Sequence, residues 1–120
     1  MTSSLAVLLR GEESEGRLAL VEMDVPPGAE GPPLHVHETW DEGFYVVAGE
    51  ITFQTGDRRL TARPGMFVFA PRETPHTFAN LSGSGARMLL ILTPAGFERY
   101  AESGERPPPN TRAVGPPLAG

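Results

Sequence analysis

His35-Val36-His37-Glu38-Thr39-Trp40-Asp41-Glu42-Gly43-Phe44-Tyr45-Val46-Val47-Ala48-Gly49-Glu50 is the stretch whose reading decides the fold. From Glu42 to Ala48 it is dense in aromatic and β-branched residues, which suit the pleated, half-buried surface of a strand. Residues two apart on a strand point to one face. Glu42, Phe44 and Val46 therefore share one side, which should be the interior of the fold, and His35 and His37 share one side of the segment before. Ala48-Gly49-Glu50 then turns the chain into Ile51 to Thr55, a hairpin by its turn chemistry.

Working outward, the same grammar repeats. Gly56-Asp57-Arg58 turns into a short strand over Arg59 to Ala62, and Pro64-Gly65 turns again. Met66 to Ala70 is an apolar strand bounded by Pro71. His76 to Asn80 resumes the pattern, Leu81 to Gly85 is a loop, and Arg87 to Thr93 is the last clear strand. Toward the N-terminus, Arg17 to Val25 alternates as a strand and stops at Pro26-Pro27-Gly28, since proline cannot donate to a central ladder. Gly31 to Pro33 is a second breaker, and Leu5 to Leu9 is a short apolar run. Past Thr93 the period lengthens: Thr93-Pro94 offers an N-cap and a first-turn proline, Phe97, Tyr100 and Ala101 fall at helical spacing, and Gly104 ends a short helix over 94–103. Residues 105–120, with Pro107-Pro108-Pro109 and Pro116-Pro117, read as an extended tail pinned against something, a partner subunit being one option. No internal repeat or domain boundary interrupts residues 1–104.

Composition agrees. The 14 glycines and 13 prolines among 120 residues punctuate short apolar runs, which favours an all-β sandwich or barrel over a helical bundle. A formal net charge of −5 argues against nucleic acid as the main partner. No apolar run approaches the roughly 20 residues needed to span a bilayer, and the first residues lack the basic start of a signal peptide. With no cysteine there are neither disulfides nor thiolate ligands, and the default location is cytoplasmic.

The chain has three histidines, His35, His37 and His76. Glu42 opens the strand after the first two, where its carboxylate can return to their side, and His76 begins a strand directly after Pro75. Three imidazoles and one carboxylate form a borderline-hard donor set that suits one divalent transition metal (Fe, Mn, Ni, Co, Cu or Zn) and matches calcium or magnesium poorly. On an octahedral ion such a set leaves two positions for water, dioxygen or substrate, as catalytic sites require. Asp41 is the rival carboxylate, and the period-2 interior face favours Glu42.

These residues carry a family resemblance. His35-Val36-His37, four residues, Glu42, six residues, Gly49 resembles the first cupin motif. Gly65, five residues, Pro71, then His76, three residues, Asn80 resembles the second. Together they cover residues 31–80. The phrases Glu42-Gly43-Phe44-Tyr45-Val46-Val47-Ala48-Gly49-Glu50 and Thr93-Pro94-Ala95-Gly96-Phe97-Glu98-Arg99 look like the small quercetin-dioxygenase-like cupins. Two positions depart: neither Gly28 nor Gly31 stands where the first motif's leading glycine belongs, and Glu73 stands where the second motif has glycine.

The resemblance implies an antiparallel jelly-roll β-barrel with a short C-terminal helix and an extended tail, and a homodimer joined through edge strands. It implies metal ligation by His35, His37, Glu42 and His76, with Glu42 doubling as proton acceptor. It further implies a dioxygenase acting on a small aromatic or enolisable substrate. An isomerase, cyclase or lyase on the same site, or a non-enzymatic small-molecule-binding module, are the alternatives. Phe44, Phe67, Phe69, Phe78 and Met88 are expected in the core, some of them lining the pocket. Trp40 is read as packing or a dimer contact, with a cover over the pocket mouth as its alternative. Glu73 is read as a solvated loop residue and Asn80 as structural.

Overall fold

The computed structural model describes residues 3–103 and 110–118, and among them are ten strands, one short α-helix and a 3-10 turn at Gly11–Glu13. The strands are β1 (Ser4–Leu9), β2 (Ala19–Val25), β3 (Pro33–His37), β4 (Asp41–Ala48), β5 (Ile51–Thr55), β6 (Arg58–Ala62), β7 (Phe67–Ala70), β8 (His76–Ala79), β9 (Ala86–Thr93) and β10 (Thr111–Pro117), with α1 (Phe97–Ser103) between the last two. They form two five-stranded antiparallel sheets, ordered β1-β2-β9-β4-β7 and β10-β3-β8-β5-β6. Neighbours within a sheet are mostly distant in sequence, as in a jelly roll.

Alternation decides which side chains enter. On β2 the interior takes Ala19, Val21, Met23 and Val25, while Asp24 is exposed. On β9 it takes Ala86, Met88, Leu90 and Leu92. On β4 Glu42, Phe44 and Val46 are buried and Tyr45 and Val47 exposed, as their spacing predicts. The apolar side chains of both sheets meet in one core that includes Phe44, Phe53, Phe78 and Met88. Fully burying one such side chain stabilises by about 1.5–3 kcal/mol, so this layer supplies most of the driving force.

Phe67 and Phe69 correct the expectation that they belong to the core. Each is 53% exposed, while Val68 and Ala70 of the same strand point inward. Every residue of that strand is apolar, so hydrophobicity alone leaves the inward face undecided. The smaller pair enters because the adjoining interior is already occupied by Phe44, Phe53 and Phe78, whose ring centroids lie 5.1–6.2 Å apart. The ring of Phe67 instead lies outside the sheet over Gly43, where an added Cβ would meet its Cζ at 2.5 Å.

Three further features differ from the sequence reading. Ala48-Gly49-Glu50 does not close a hairpin: β4 pairs with β7 and β9 and β5 with β6 and β8, so this turn carries the chain from one sheet to the other. Thr93 ends β9, the Thr93–Pro94 bond is cis, and α1 begins three residues after that proline, at Phe97. The buried Glu98 carboxylate accepts from Gly96 N–H at 2.6 Å and Gly11 N–H at 2.8 Å, which ties the start of α1 to the turn after β1. The C-terminal segment is extended, and over Thr111–Pro117 it is also β10, paired with β3 at the edge of the second sheet. The expected helix end at Gly104 and the run Pro107-Pro108-Pro109 lie outside the described residues. Among those described, no helix is long and apolar enough to cross a membrane.

Gly31 sits where β3 approaches β8. A Cβ there would lie 1.6 Å from the carbonyl oxygen of Phe78, so only glycine permits this approach. It is this approach that sets His35 opposite His76 across the two strands.

Candidate metal centre

Three strands deliver the cluster. β3 supplies His35 and His37 from one face, β4 supplies Glu42 from its inward face, and β8 supplies His76 from its first position. His37, Glu42 and His76 are buried, and His35 is half-buried. One potential ligand atom from each of the four lies within 4.8 Å of all the others. The His37 Nε2 to Glu42 Oε1 distance is 3.0 Å, His76 Nε2 to Glu42 Oε1 is 3.3 Å, and His35 Nε2 to His37 Nε2 is 3.2 Å. Two donors at right angles, each about 2.1 Å from one ion, stand about 3 Å apart. The four side chains are thus already spaced to hold a metal ion, and the donor set fits.

The outward ring nitrogens are occupied. His35 Nδ1–H donates to the Pro33 carbonyl at 2.8 Å and His76 Nδ1–H to the Thr74 carbonyl at 3.0 Å, while His37 Nδ1 faces Thr111 Oγ1 at 2.9 Å. Such partners fix ring orientation, and a metal-binding imidazole depends on them. Trp40 stacks on His37 with centroids 4.3 Å apart and an interplanar angle of 27°, and also approaches Phe97 at 6.2 Å. Its role is packing beneath the site. Its buried Nε1 has no hydrogen-bond partner among the described residues.

Electrostatics prepare the cluster for a cation. Burial pushes the Glu42 carboxyl up, but hydrogen bonds from His37 and His76 and the charge of those rings outweigh it and bring the group down to about 2. Glu42 is therefore ionised at neutral pH. Burial lowers His35 to about 4, helped by the charge of His76. His76 is raised despite its burial, because Glu42 both hydrogen-bonds it and attracts its charge.

Asp41 stands apart from this group. Its carboxylate accepts from the Arg72 backbone N–H at 2.8 Å and from the guanidinium Nε–H and Nη2–H at 3.2 Å each. Arg72 holds the Asp41 carboxyl below its ordinary range. Glu73 is exposed and has φ of +66°, the left-handed conformation that explains why the motif has glycine at this position. Its backbone N–H donates to the carbonyl of His37 at 2.7 Å, so the loop before β8 steadies β3 through the backbone. Asn80 is structural, as expected: its amide donates to the carbonyls of Val25 and Ser84 and its oxygen accepts from Ser82. Thr111 is the site residue that sequence reasoning missed, since a threonine in a proline-rich tail carries no signal by itself.

The model of the cupin domain family matches residues 21–92. This chain belongs to that family. A quercetin 2,3-dioxygenase of Bacillus subtilis (strain 168) is 28% identical over 89 residues, covering 74% of this cupin and 26% of the relative, so the chain spans about a quarter of that protein's length. The solved polyketide cyclase RemF of Streptomyces resistomycificus is 29% identical, with a TM-score of 0.71 over 93% of this cupin and 70% of the cyclase. A predicted oxalate decarboxylase of Thermotoga maritima is 24% identical, with a TM-score of 0.71 over 76% of this chain and 79% of that one, and shares the fold.

The four residues of this cupin open onto a cavity of about 680 Å³. Met23, Phe44, Phe78, Leu90 and Phe97 form much of its wall. Thr111 and Ala113 of β10 belong to the lining, which contains no arginine or lysine among the described residues. Small-molecule sites are typically apolar concavities with a few convergent polar groups, and here the His35, His37, Glu42 and His76 cluster supplies such a group.

Proposed function

We propose that this cupin binds one divalent transition-metal ion through His35, His37, Glu42 and His76 and acts as a dioxygenase on a small aromatic or enolisable substrate. The observation that carries the reading is the pairing of the cluster with a largely apolar cavity of about 680 Å³ that has no cationic side chain among its described lining residues. Such a wall favours a flat, neutral body with an oxygen atom at one end. A compact dianion such as oxalate would find no arginine or lysine among the described lining residues to offset its desolvation. The resemblance to quercetin 2,3-dioxygenase supports the same substrate class.

The bound ion would act as a Lewis acid toward a substrate oxygen. The remaining work belongs to the chain. Phe44 and Phe78 form an apolar wall against which the substrate body would lie, excluding water, and Glu42 takes the proton of the substrate hydroxyl. As a ligand Glu42 is ionised, and it would take the proton after swinging partly off the ion, where burial strengthens its hold on a proton.

The test is dioxygen uptake by protein loaded separately with Fe(II), Mn(II), Ni(II), Co(II), Cu(II) and Zn(II), using quercetin and a small β-diketone as probes. Uptake by at least one metal form, abolished in His76→Ala, is expected. Metal occupancy by elemental analysis without uptake by any form would refute the dioxygenase. A second reading, a cyclase, isomerase or lyase that consumes no oxygen, is favoured by the RemF match over nearly the whole chain. Product formation under anaerobic conditions selects it, and saturable binding without turnover selects a ligand-binding module.

We also infer a cytoplasmic homodimer. Tyr45, Val47, Phe67 and Phe69 are exposed on the outer side of one sheet at its β7 edge, and a second copy would cover this apolar band. Phe69→Glu should then give a monomer in light scattering; a wild type that is itself monomeric removes the dimer.

A further inference from the structure

The three imidazoles are held from outside in two chemically different ways. His35 and His76 each donate Nδ1–H to a backbone carbonyl, Pro33 O and Thr74 O. A carbonyl only accepts, so both rings keep a hydrogen on Nδ1; the neutral His35 ring then turns a bare Nε2 inward, while His76 Nε2, 3.3 Å from Glu42 Oε1, can carry a second hydrogen and donate it there. His37 faces a hydroxyl instead, Thr111 Oγ1 at 2.9 Å, and a hydroxyl can donate or accept.

That difference matters because His37 lies between two acceptors. Its Nε2 is 3.2 Å from the bare Nε2 of His35 and 3.0 Å from Glu42 Oε1. Without an ion, a hydrogen on His37 Nε2 satisfies this arrangement, and Nδ1 then accepts from the Thr111 hydroxyl. With an ion on Nε2, the hydrogen must sit on Nδ1, and Nδ1–H then donates to Thr111 Oγ1. A backbone carbonyl in place of Thr111 would support the second arrangement and oppose the first.

Thr111 reaches this position through β10. It is the register partner of His37 across the β10–β3 ladder, and Glu38 N–H donates to Asn110 O at 2.8 Å just beyond it. Thr111 also lines the cavity. The C-terminal strand therefore forms part of the site as well as the edge of its sheet.

We propose that Thr111 is a positioning residue of the metal centre, holding the His37 ring at its binding angle and serving both of its tautomers. The proposal rests on metal binding by the cluster. Its test compares wild type, Thr111→Val, which keeps the shape and loses the hydroxyl, and Thr111→Ser, which restores it. Each is stripped with chelator and titrated with Co(II), followed by its visible absorption. Thermal midpoints and long-range proton–nitrogen NMR spectra of the histidines are recorded on the metal-free proteins.

Thr111→Val should bind Co(II) about tenfold more weakly, the lower end of what such partners contribute. Thr111→Ser should return to near wild type, with the metal-free midpoints of all three proteins close together. Equal affinity in Thr111→Val overturns the proposal. So does a loss that Ser fails to restore and that follows a fall in the metal-free midpoint, because the loss is then one of packing. A wild type that binds no Co(II) refutes the metal reading itself, and the NMR spectra then decide Thr111. A change in His37 tautomer signals in Thr111→Val but not in Thr111→Ser supports its role, and unchanged signals overturn it.

Discussion

Glu42→Gln in the metal-free protein isolates what the buried carboxylate contributes, because the substitution removes charge and leaves shape. Glu42 is held at about 2 against an ordinary value of 4.5. At about 1.4 kcal/mol per pH unit, that gap corresponds to about 3 kcal/mol of stability at neutral pH. His37 and His76 lie at the other end of the same interaction, so the figure is counted once. A folded value below the unfolded one means that the contribution is complete above about 4.5 and disappears as pH falls toward 2. With an unfolding entropy of about 2.1 cal/mol/K per residue, 3 kcal/mol in a 120-residue chain is a shift of about 12 °C. Differential scanning calorimetry of chelator-treated wild type and Glu42→Gln should therefore give midpoints about 12 °C apart at pH 7, converging near pH 2–3. Equal midpoints at pH 7 would refute the reasoning, and so would a gap that persists unchanged into acid, since its origin would then be packing.

Three further outcomes follow from the same geometry. Asp41→Asn should keep full metal occupancy by elemental analysis while Glu42→Gln loses it, because the Asp41 carboxylate is engaged by Arg72; the reverse result would make Asp41 the ligand. Metal affinity measured by calorimetric titration should fall as pH drops through neutrality, since His76, raised above its ordinary value by Glu42, protonates well before His35, lowered to about 4. Affinity that is flat between pH 7.5 and 5.5, on the order of the ordinary histidine range, would remove His76 from the ligand set. Gly31→Ala should lower the thermal midpoint far more than Gly43→Ala, because the first Cβ meets a backbone carbonyl at 1.6 Å and the second an exposed phenylalanine ring that can turn away. Equal effects would contradict the claimed approach of β3 to β8.

Much of this was legible in the sequence because period 2 and ligand chemistry coincide in β3 and β4. His35, His37 and Glu42 lie close in sequence, and their faces follow from strand alternation alone. His76 needed the second glycine- and proline-framed motif to be joined to them. What stayed hidden depended on tertiary competition. In β7 four consecutive apolar residues gave no period, and which pair turned inward was decided by rings on other strands. The pairing of β10 lies 74 residues from its partner at the Thr111–His37 contact, and proline content argues against a ladder until an edge position makes it tolerable. The start of α1 was displaced because Thr93 remains in β9.

Trp40 gives the site an optical consequence. It is the only tryptophan in the chain, and its indole stacks on His37 at a centroid distance of 4.3 Å. Ultraviolet emission excited at the red edge of indole absorption comes from this single ring, in direct contact with one of the four clustered side chains. Open-shell ions such as Cu(II) or Ni(II) held by His37 should darken it, whereas closed-shell Zn(II) should leave it bright. The residue that packs beneath the cluster thus doubles as a built-in lamp whose dimming distinguishes one kind of ion from another.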